Sequence, residues 1–165
     1  MESTVSGVEI RPAEIDDVSL VYQFIYGLAE YENNLDKLKA TEDNIRDALF
    51  GKRPCAEAVL AYYEDRPVGF AFFYTCISTF AGTPGIHLED LFVKPECRSK
   101  GIGRALLVYL AQLITDRCYG RLEWTVLKWN EPAINFYKKL GAEPLTECDI
   151  YRLAGDSLEK LAAEA

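Results

Sequence analysis

Leu91, Phe92 and Val93 are apolar at successive positions. The chain then passes through Lys94-Pro95 into Arg98-Ser99-Lys100-Gly101-Ile102-Gly103-Arg104, and an amphipathic stretch follows to Arg117. Apolar residues on consecutive positions suit a central strand covered on both faces. Proline and glycine stop such a strand, and helical spacing of apolar residues resumes after them. Two glycines separated by one residue let the backbone curl so that several N–H groups converge, and the next helix adds its unpaired N-terminal donors and positive dipole end. The expected guest of such a cradle is a phosphate or pyrophosphate. A dinucleotide fingerprint would need a third glycine where Leu106 stands, and a P-loop would need a glycine five residues before a Gly-Lys-Ser/Thr ending, so neither pattern fits.

The remaining segments alternate between strand-like and helix-like. Val8, Ile10 and Arg11, ended by Pro12, read as a short strand, and Val18, Val21, Phe24, Ile25 and Leu28 stripe a helix over about residues 16–31. Thr41 caps a second helix that carries Glu42 and Asp43 in its first turn and ends near Phe50-Gly51. Residues 56–63 and 68–77 are β-branched or aromatic runs joined by Glu64-Asp65-Arg66-Pro67, which reads as a hairpin. A loop over 81–85 leads to a strand over 86–93. A helix over 103–117 follows, then a strand over 122–127, a helix over about 131–140 and a return strand around 150–153. Asp156 and Glu159 read as a capping pair for a terminal helix over 157–163. Helices interleaved with a mixed sheet predict an α/β or α+β sandwich.

With 165 residues the chain is expected to be one domain, residues 1–165, large enough to bury a core without disulfides or metal. Its five cysteines, at Cys55, Cys76, Cys97, Cys118 and Cys148, are odd in number and form no Cys-x-x-Cys pair. That argues for a reducing compartment, against an obvious zinc site, and for buried structural thiols. The N-terminus has no basic-then-apolar signal region, and no stretch approaches the ~20 apolar residues of a membrane span, so a soluble, cytoplasmic protein is expected. The net charge of −8, spread over the helices, disfavours nucleic acid and anionic membranes as partners and attracts cations, although solubility alone accounts for it equally.

Upstream of the cradle stands Leu88-Glu89-Asp90-Leu91-Phe92-Val93-Lys94-Pro95. Downstream stands Trp129-Asn130-Glu131-Pro132-Ala133-Ile134-Asn135-Phe136-Tyr137-Lys138-Lys139-Leu140-Gly141-Ala142. In this order the three segments resemble the acetyl-coenzyme A binding core of the GNAT superfamily of N-acetyltransferases. Arg98, Gly101 and Gly103 fit its Arg/Gln-x-x-Gly-x-Gly/Ala turn, and Asn130, Ala133, Phe136, Tyr137 and Gly141 fit its Asn-x-x-Ala/Ser-x-x-Phe-Tyr-x-x-x-Gly helix. The resemblance implies a single GNAT domain whose mixed, mostly antiparallel sheet is flanked by helices. It further implies acetyl-coenzyme A as co-substrate without a metal, and a homodimer. The coenzyme would be held by Leu91, Phe92 and Val93, by Arg98, Ser99, Lys100, Gly101, Ile102, Gly103 and Arg104, and by Asn130, Pro132, Ala133 and Tyr137. Ser99 stands where the family commonly has glycine, which makes the entry to the cradle less flexible, and Lys100 reads most readily as plain surface.

Acetylating an amine requires a proton to leave an ammonium of pKa near ~10, a polarised thioester carbonyl, and a proton donor for the departing thiolate. Glu89 is the candidate base, directly or through water. Neighbours on a strand point to opposite faces, so Glu89 and Asp90 serve one site only across a bulge; otherwise one of them caps the sheet or pairs with a basic group. Tyr137, which holds the family's acid position, is the candidate donor to sulfur, although its helical spacing with Ala133, Phe136 and Leu140 also suits packing. Asn130 likewise reads both as a coenzyme ligand and as a helix N-cap before Pro132. An N–H near Leu91 or Phe92 is the candidate oxyanion donor.

Arg11-Pro12-Ala13, Leu28-Ala29-Glu30-Tyr31-Glu32, Leu88-Glu89-Asp90, Trp129-Asn130-Glu131-Pro132 and Asn135-Phe136-Tyr137-Lys138 narrow the resemblance to the diamine branch, the spermidine/spermine and thialysine acetyltransferases. That branch implies an acceptor site of Tyr31, Glu32, Glu89, Trp124 and Asp149, whose separated carboxylates suit a small cationic amine. Glu32 and Asp149 also read as solvated charges. Ser78-Thr79-Phe80-Ala81-Gly82 departs from the polyamine enzymes toward the thialysine branch, and Tyr151 replaces a tryptophan, which favours a short diamine or lysine-like amine. Two alternatives remain: a non-catalytic acyl-coenzyme A binding module, and an enzyme acting on a peptide or protein amine.

Overall fold

Aromatic and aliphatic residues alternate along the strands of this chain, and the alternation assigns two buried faces to one sheet. The computed structural model describes residues 5–164 and forms two compact units, Met1–Thr125 and Val126–Ala165. In the first unit β1 (Val8–Pro12), β2 (Glu57–Tyr63), β3 (Arg66–Ser78), β4 (Thr83–Val93) and β5 (Leu122–Trp124) lie side by side in chain order. The first four pair antiparallel, and β5 runs parallel to β4 after a crossover through α3 (Ile102–Asp116). The fold is therefore α/β with a mixed, mostly antiparallel sheet, as expected.

Helices α1 (Val18–Tyr31) and α2 (Glu42–Phe50) cover one face. Phe24 of α1 stacks on Phe70 with ring centroids 5.5 Å apart and meets Phe92 at 6.3 Å, and Leu60, Ile45 and Leu49 complete this core. Burial of each such ring contributes about 1.5–3 kcal/mol. The close approach of α1 depends on Gly27, where an added Cβ would come within 3.1 Å of the Phe92 ring. Val59, Ala71, Phe73, Ile86 and Leu88 alternate to the opposite face, which α3 covers with Ile102, Ala105, Leu106 and Leu110. Arg11 ties β1 to the approach to α1 through a two-pronged ion pair with Asp17, 2.6 and 2.9 Å, and reaches the Tyr62 hydroxyl on β2 at 2.8 Å.

Local signals set the ends of these elements. Thr41 caps α2, its hydroxyl accepting from Asn44 N while Asn44 Oδ1 accepts from Thr41 N, at 3.2 and 3.0 Å. The β2–β3 turn is tighter than its four-residue sequence suggested. Glu64 and Asp65 both take positive φ, 50° and 59°, which matches the twist of the flanking strands. β4 begins at Thr83, inside the expected loop, because Pro84 and Thr83 pair with Ile77 and Ser78. The strand expected over 122–127 stops at Trp124, opposite Leu88, where β4 leaves regular register.

The second unit holds α4 (Glu131–Lys139) and α5 (Asp156–Ala162). The expected return strand around 150–153 is not formed. Ile150 and Tyr151 are 76% and 92% exposed, and among the described residues no neighbouring strand supplies the backbone partners that make such a run a strand. The expected Asp156–Glu159 capping pair is also absent, since α5 starts from Gly155 at φ 56° without a side-chain cap. The cysteines are not the buried thiols expected from composition. All five are unpaired; Cys55, Cys118 and Cys148 are exposed, and Cys76 and Cys97 are partly so.

Candidate active site

The β3–β4 ladder skips one residue. Phe72 pairs with Asp90 but Phe73 pairs with Leu88, so Glu89 is the extra residue of a β-bulge. That slip answers the question of alternation. Leu88 is buried on the α3 face, so Glu89 turns to the other face. Asp90, paired with Phe72, faces the same way as Phe70 and Phe92. Both carboxylates therefore serve one face. Glu89 is exposed, whereas Asp90 is partly enclosed, and its carboxyl is pushed up to about 7, first by burial and then by the charges of Glu89 and Glu32. Glu32 follows directly after α1, so helix packing brings a third carboxylate to this acidic mouth.

Beyond the bulge the same face carries residues that sequence reasoning passed over. Tyr74, His87 and Glu123 form one row across β3, β4 and β5. The rings of Tyr74 and His87 stack at 5.0 Å, and His87 Nδ1 lies 3.7 Å from Glu123 Oε1. Arg121 Nε donates to Glu123 Oε2 at 2.7 Å and holds that carboxyl below its usual range, while Cys76 Sγ donates to Oε1 at 3.4 Å. Burial, then the charge of Glu89, raises the Tyr74 hydroxyl. The only signal in the sequence was the two-residue spacing of His87 and Glu89, which acquires meaning once the register is known. Trp124 pairs with Leu88 at the end of β5, so alternation sends it to the face opposite Glu123.

Among the described residues no strand pairs with β4 past Leu88 on its β5 side, so the backbone of Leu91, Phe92 and Val93 borders a strand edge without a ladder partner. The cradle follows. Ser99 takes the left-handed φ of 63° that the family's glycine would adopt at lower cost, and Gly101, the N-cap of α3, has φ 82°. Among the described residues no side chain caps α3 from the cap position, which Gly101 holds. Ile102 is buried and anchors the helix start, while Gly103 and Arg104 lie in its first turn and Arg104 is exposed. Arg98 Nε donates to the Val93 carbonyl at 3.0 Å, and its guanidinium carbon sits 4.3 Å from the Tyr31 ring centroid. Lys100 turns aside to the Tyr63 ring at 4.8 Å, which agrees with its reading as surface. An uncapped helix start, a glycine at positive φ and flanking arginines suit a pyrophosphate chemically.

In the second unit Asn130 is only 9% exposed, and its side chain accepts from Ala133 N at 3.3 Å, so the N-cap reading holds. Pro132 lies in the first turn of α4, and Tyr137 packs at 5.4 Å from Phe136. Asp149 lies exposed in an irregular segment. Among the described residues no group of three or more His, Cys, Asp or Glu is arranged to hold a metal ion, and no helix is long and apolar enough to cross a membrane.

An acidic face and a basic, glycine-turned helix start thus flank β4 in the first unit. The model of the acetyltransferase (GNAT) family matches residues 22–142. A thialysine N-epsilon-acetyltransferase of Bos taurus is 34% identical over 95% of this chain and 98% of its own. The spermidine/spermine N(1)-acetyltransferase-like protein 1 of Homo sapiens is 31% identical over 97% of this chain and 24% of its own. Among solved structures, an integron cassette protein from the mobile metagenome of V. cholerae superposes with TM-score 0.78 at 30% identity, covering 94% of this chain and 98% of that one. GNAT acetyltransferases use acetyl-coenzyme A as acetyl donor. With its sheet, its glycine-turned helix start and these relatives in agreement, the chain belongs to the GNAT family of acetyltransferases and is an acyltransferase.

Proposed function

We propose that the protein transfers an acetyl group from acetyl-coenzyme A to the primary amine of a small cationic substrate of the thialysine, diamine or polyamine kind, directly and within a ternary complex. The observation that carries this reading is the bulge at Glu89, which turns two adjacent carboxylates toward one face beside Glu32. Burial first, and then the charges of Glu89 and Glu32, push the Asp90 carboxyl up to about 7, and a cation bound there would relieve the part that comes from the neighbouring carboxylates. Tyr31, Glu32 and Glu89 are assigned to the acceptor; Trp124, which alternation places on the face opposite Glu123, and Asp149, in the second unit, are assigned by resemblance alone.

Acetyl-coenzyme A supplies an activated acetyl thioester. Arg98, Ser99, Lys100, Gly101, Ile102, Gly103 and Arg104 are assigned to its pyrophosphate, Lys100 with the least weight because it lies against Tyr63. Leu91, Phe92 and Val93 offer backbone groups to the pantetheine arm, and Asn130, Pro132 and Ala133 are assigned to the coenzyme from α4. Glu89 takes the proton of the substrate ammonium, directly or through water, and leaves a neutral amine. That amine forms the new C–N bond as the C–S bond breaks, and the proton the nitrogen then sheds restores the one that Tyr137 gives to sulfur. An N–H of Leu91 or Phe92 donates to the carbonyl oxygen as charge develops there, and the Tyr137 hydroxyl donates its proton to the departing sulfur. On this reading the whole of residues 1–165 acts as one catalytic domain, a cytoplasmic homodimer that uses no metal and binds no nucleic acid.

The test is thiol release from acetyl-coenzyme A against thialysine, lysine, ornithine, putrescine, spermidine, spermine and a lysine peptide. Turnover with at least one small amine, exceeding that with the peptide, is expected. Coenzyme binding without turnover of any amine would refute catalysis and leave a binding module.

A further inference from the structure

The last turn of α1 touches both halves of the site. Tyr31 ends the helix and lies under the Arg98 guanidinium, while Glu32, the next residue, acts on the carboxyl of Asp90. The resemblance assigns Tyr31 to the acceptor side, yet its contact with Arg98 belongs to the cradle. Arg98 is exposed and long, and an unrestrained arginine gives up much of its rotamer freedom when a ligand fixes it. Here it is already held on three sides, by its Nε bond to the Val93 carbonyl at 3.0 Å, by the Tyr31 ring at 4.3 Å, and by the Phe92 ring at 5.7 Å. With Nε engaged, the Nη groups are left as the donors for an anion. The position of Tyr31 is itself set by packing. Gly27, one turn earlier, lets α1 approach to where a Cβ would meet Phe92 at 3.1 Å, and Phe24 packs against the same ring.

We infer that Tyr31 is a positioning residue for the coenzyme, its ring holding the Arg98 guanidinium ready for the pyrophosphate. The helix end that presents Glu32 to the amine thus also preorganises the donor side. This inference rests on the assignment of the Arg98–Arg104 loop to coenzyme A. The aromatic face carries the role, so phenylalanine preserves it and an aliphatic side chain removes it.

The experiment is calorimetric titration of coenzyme A into the wild-type protein and the Tyr31→Phe, Tyr31→Leu, Arg98→Gln and Tyr31→Leu/Arg98→Gln variants, with melting temperatures as a check on folding. Tyr31→Leu is expected to weaken coenzyme A about three- to tenfold, as for loss of a partly desolvated cation–π contact, and Tyr31→Phe less than about twofold. In the Arg98→Gln background Tyr31→Leu is expected to have no further effect, because the group it holds is gone. Equal affinity of Tyr31→Leu and wild type would overturn the inference, as would additive losses in the double variant. A raised KM for the amine with unchanged coenzyme affinity would also overturn it, returning Tyr31 to the acceptor site alone. Failure of the wild-type protein to bind coenzyme A would instead remove the assignment of the loop, before any variant is compared.

Discussion

Asp90→Asn separates the cost of the bulge from its use. The Asp90 carboxyl is pushed from the usual 3.8 up to about 7, so the gap is about 3 pH units. At 1.36 kcal/mol per unit, the folded state disfavours the ionised carboxylate by up to about 4 kcal/mol. The folded protein binds the extra proton between about pH 4 and pH 7, so stability falls as pH rises through that window and levels off above it. Asparagine has nearly the same shape and does not titrate. The advantage of the variant over wild type is therefore expected to grow by about 2–3 kcal/mol between pH 5 and pH 8. Water at the edge of the partly enclosed site, and salt screening of Glu32 and Glu89, reduce that figure rather than reverse it. Urea unfolding followed by tryptophan fluorescence at pH 5, 6, 7 and 8 measures it, and with a slope of about 2 kcal/mol per molar the midpoint separation should widen by about 1 M. A separation that stays constant or narrows with rising pH would refute the reasoning, because Asp90 would then ionise as an ordinary surface carboxylate.

Other consequences are as direct. Ser99→Gly relieves a left-handed φ of 63° at the entry to the cradle and is expected to add about 0.5 kcal/mol, the relief of strain exceeding the extra unfolded-state entropy; a lower melting temperature would refute it. Asp17→Asn removes the 2.6 Å pair with Arg11 and should cost about 1–3 kcal/mol at pH 7 in thermal melts. Because the Asp17 carboxyl is held below its usual range, that advantage of the wild type is present above about pH 4 and declines as pH falls through the lowered value; a cost that grows as the pH falls below about 4 would contradict it. Tyr137→Phe should lower the acetylation rate on the order of 10²-fold while coenzyme A affinity changes little, and an unchanged rate would make Tyr137 a packing residue.

The elements that sequence placed well are those with short-range causes. Thr41 and Asn130 cap their helices as their residue types suggest, the hairpin turns at Glu64-Asp65, and the helix after Gly101 begins where glycine allows a left-handed backbone. The family, too, is legible in the order of three short motifs, because those residues lie close together in the chain. The candidate site was legible in part. Arg98 stood out by its place in the glycine turn and Glu89 by its charge in an apolar strand, but His87 and Glu123 did not, since neither belongs to a motif and their meeting depends on the pairing of three strands.

Sequence by itself determined most of the helices and strands, the glycine turn that starts α3, and that an acyltransferase domain results. Only the tertiary structure decided that Glu89 is the extra residue of a bulge, so that two carboxylates share one face. It also decided that β5 ends at Trp124, that among the described residues neither the β4 edge past Leu88 nor residues 150–153 find a strand partner, and that Tyr31 lies under Arg98. The physical reason is range. Caps, turns and periodicity act over a few residues and are written in the chain, whereas strand register and the approach of a helix to a sheet are settled by packing among residues far apart in it.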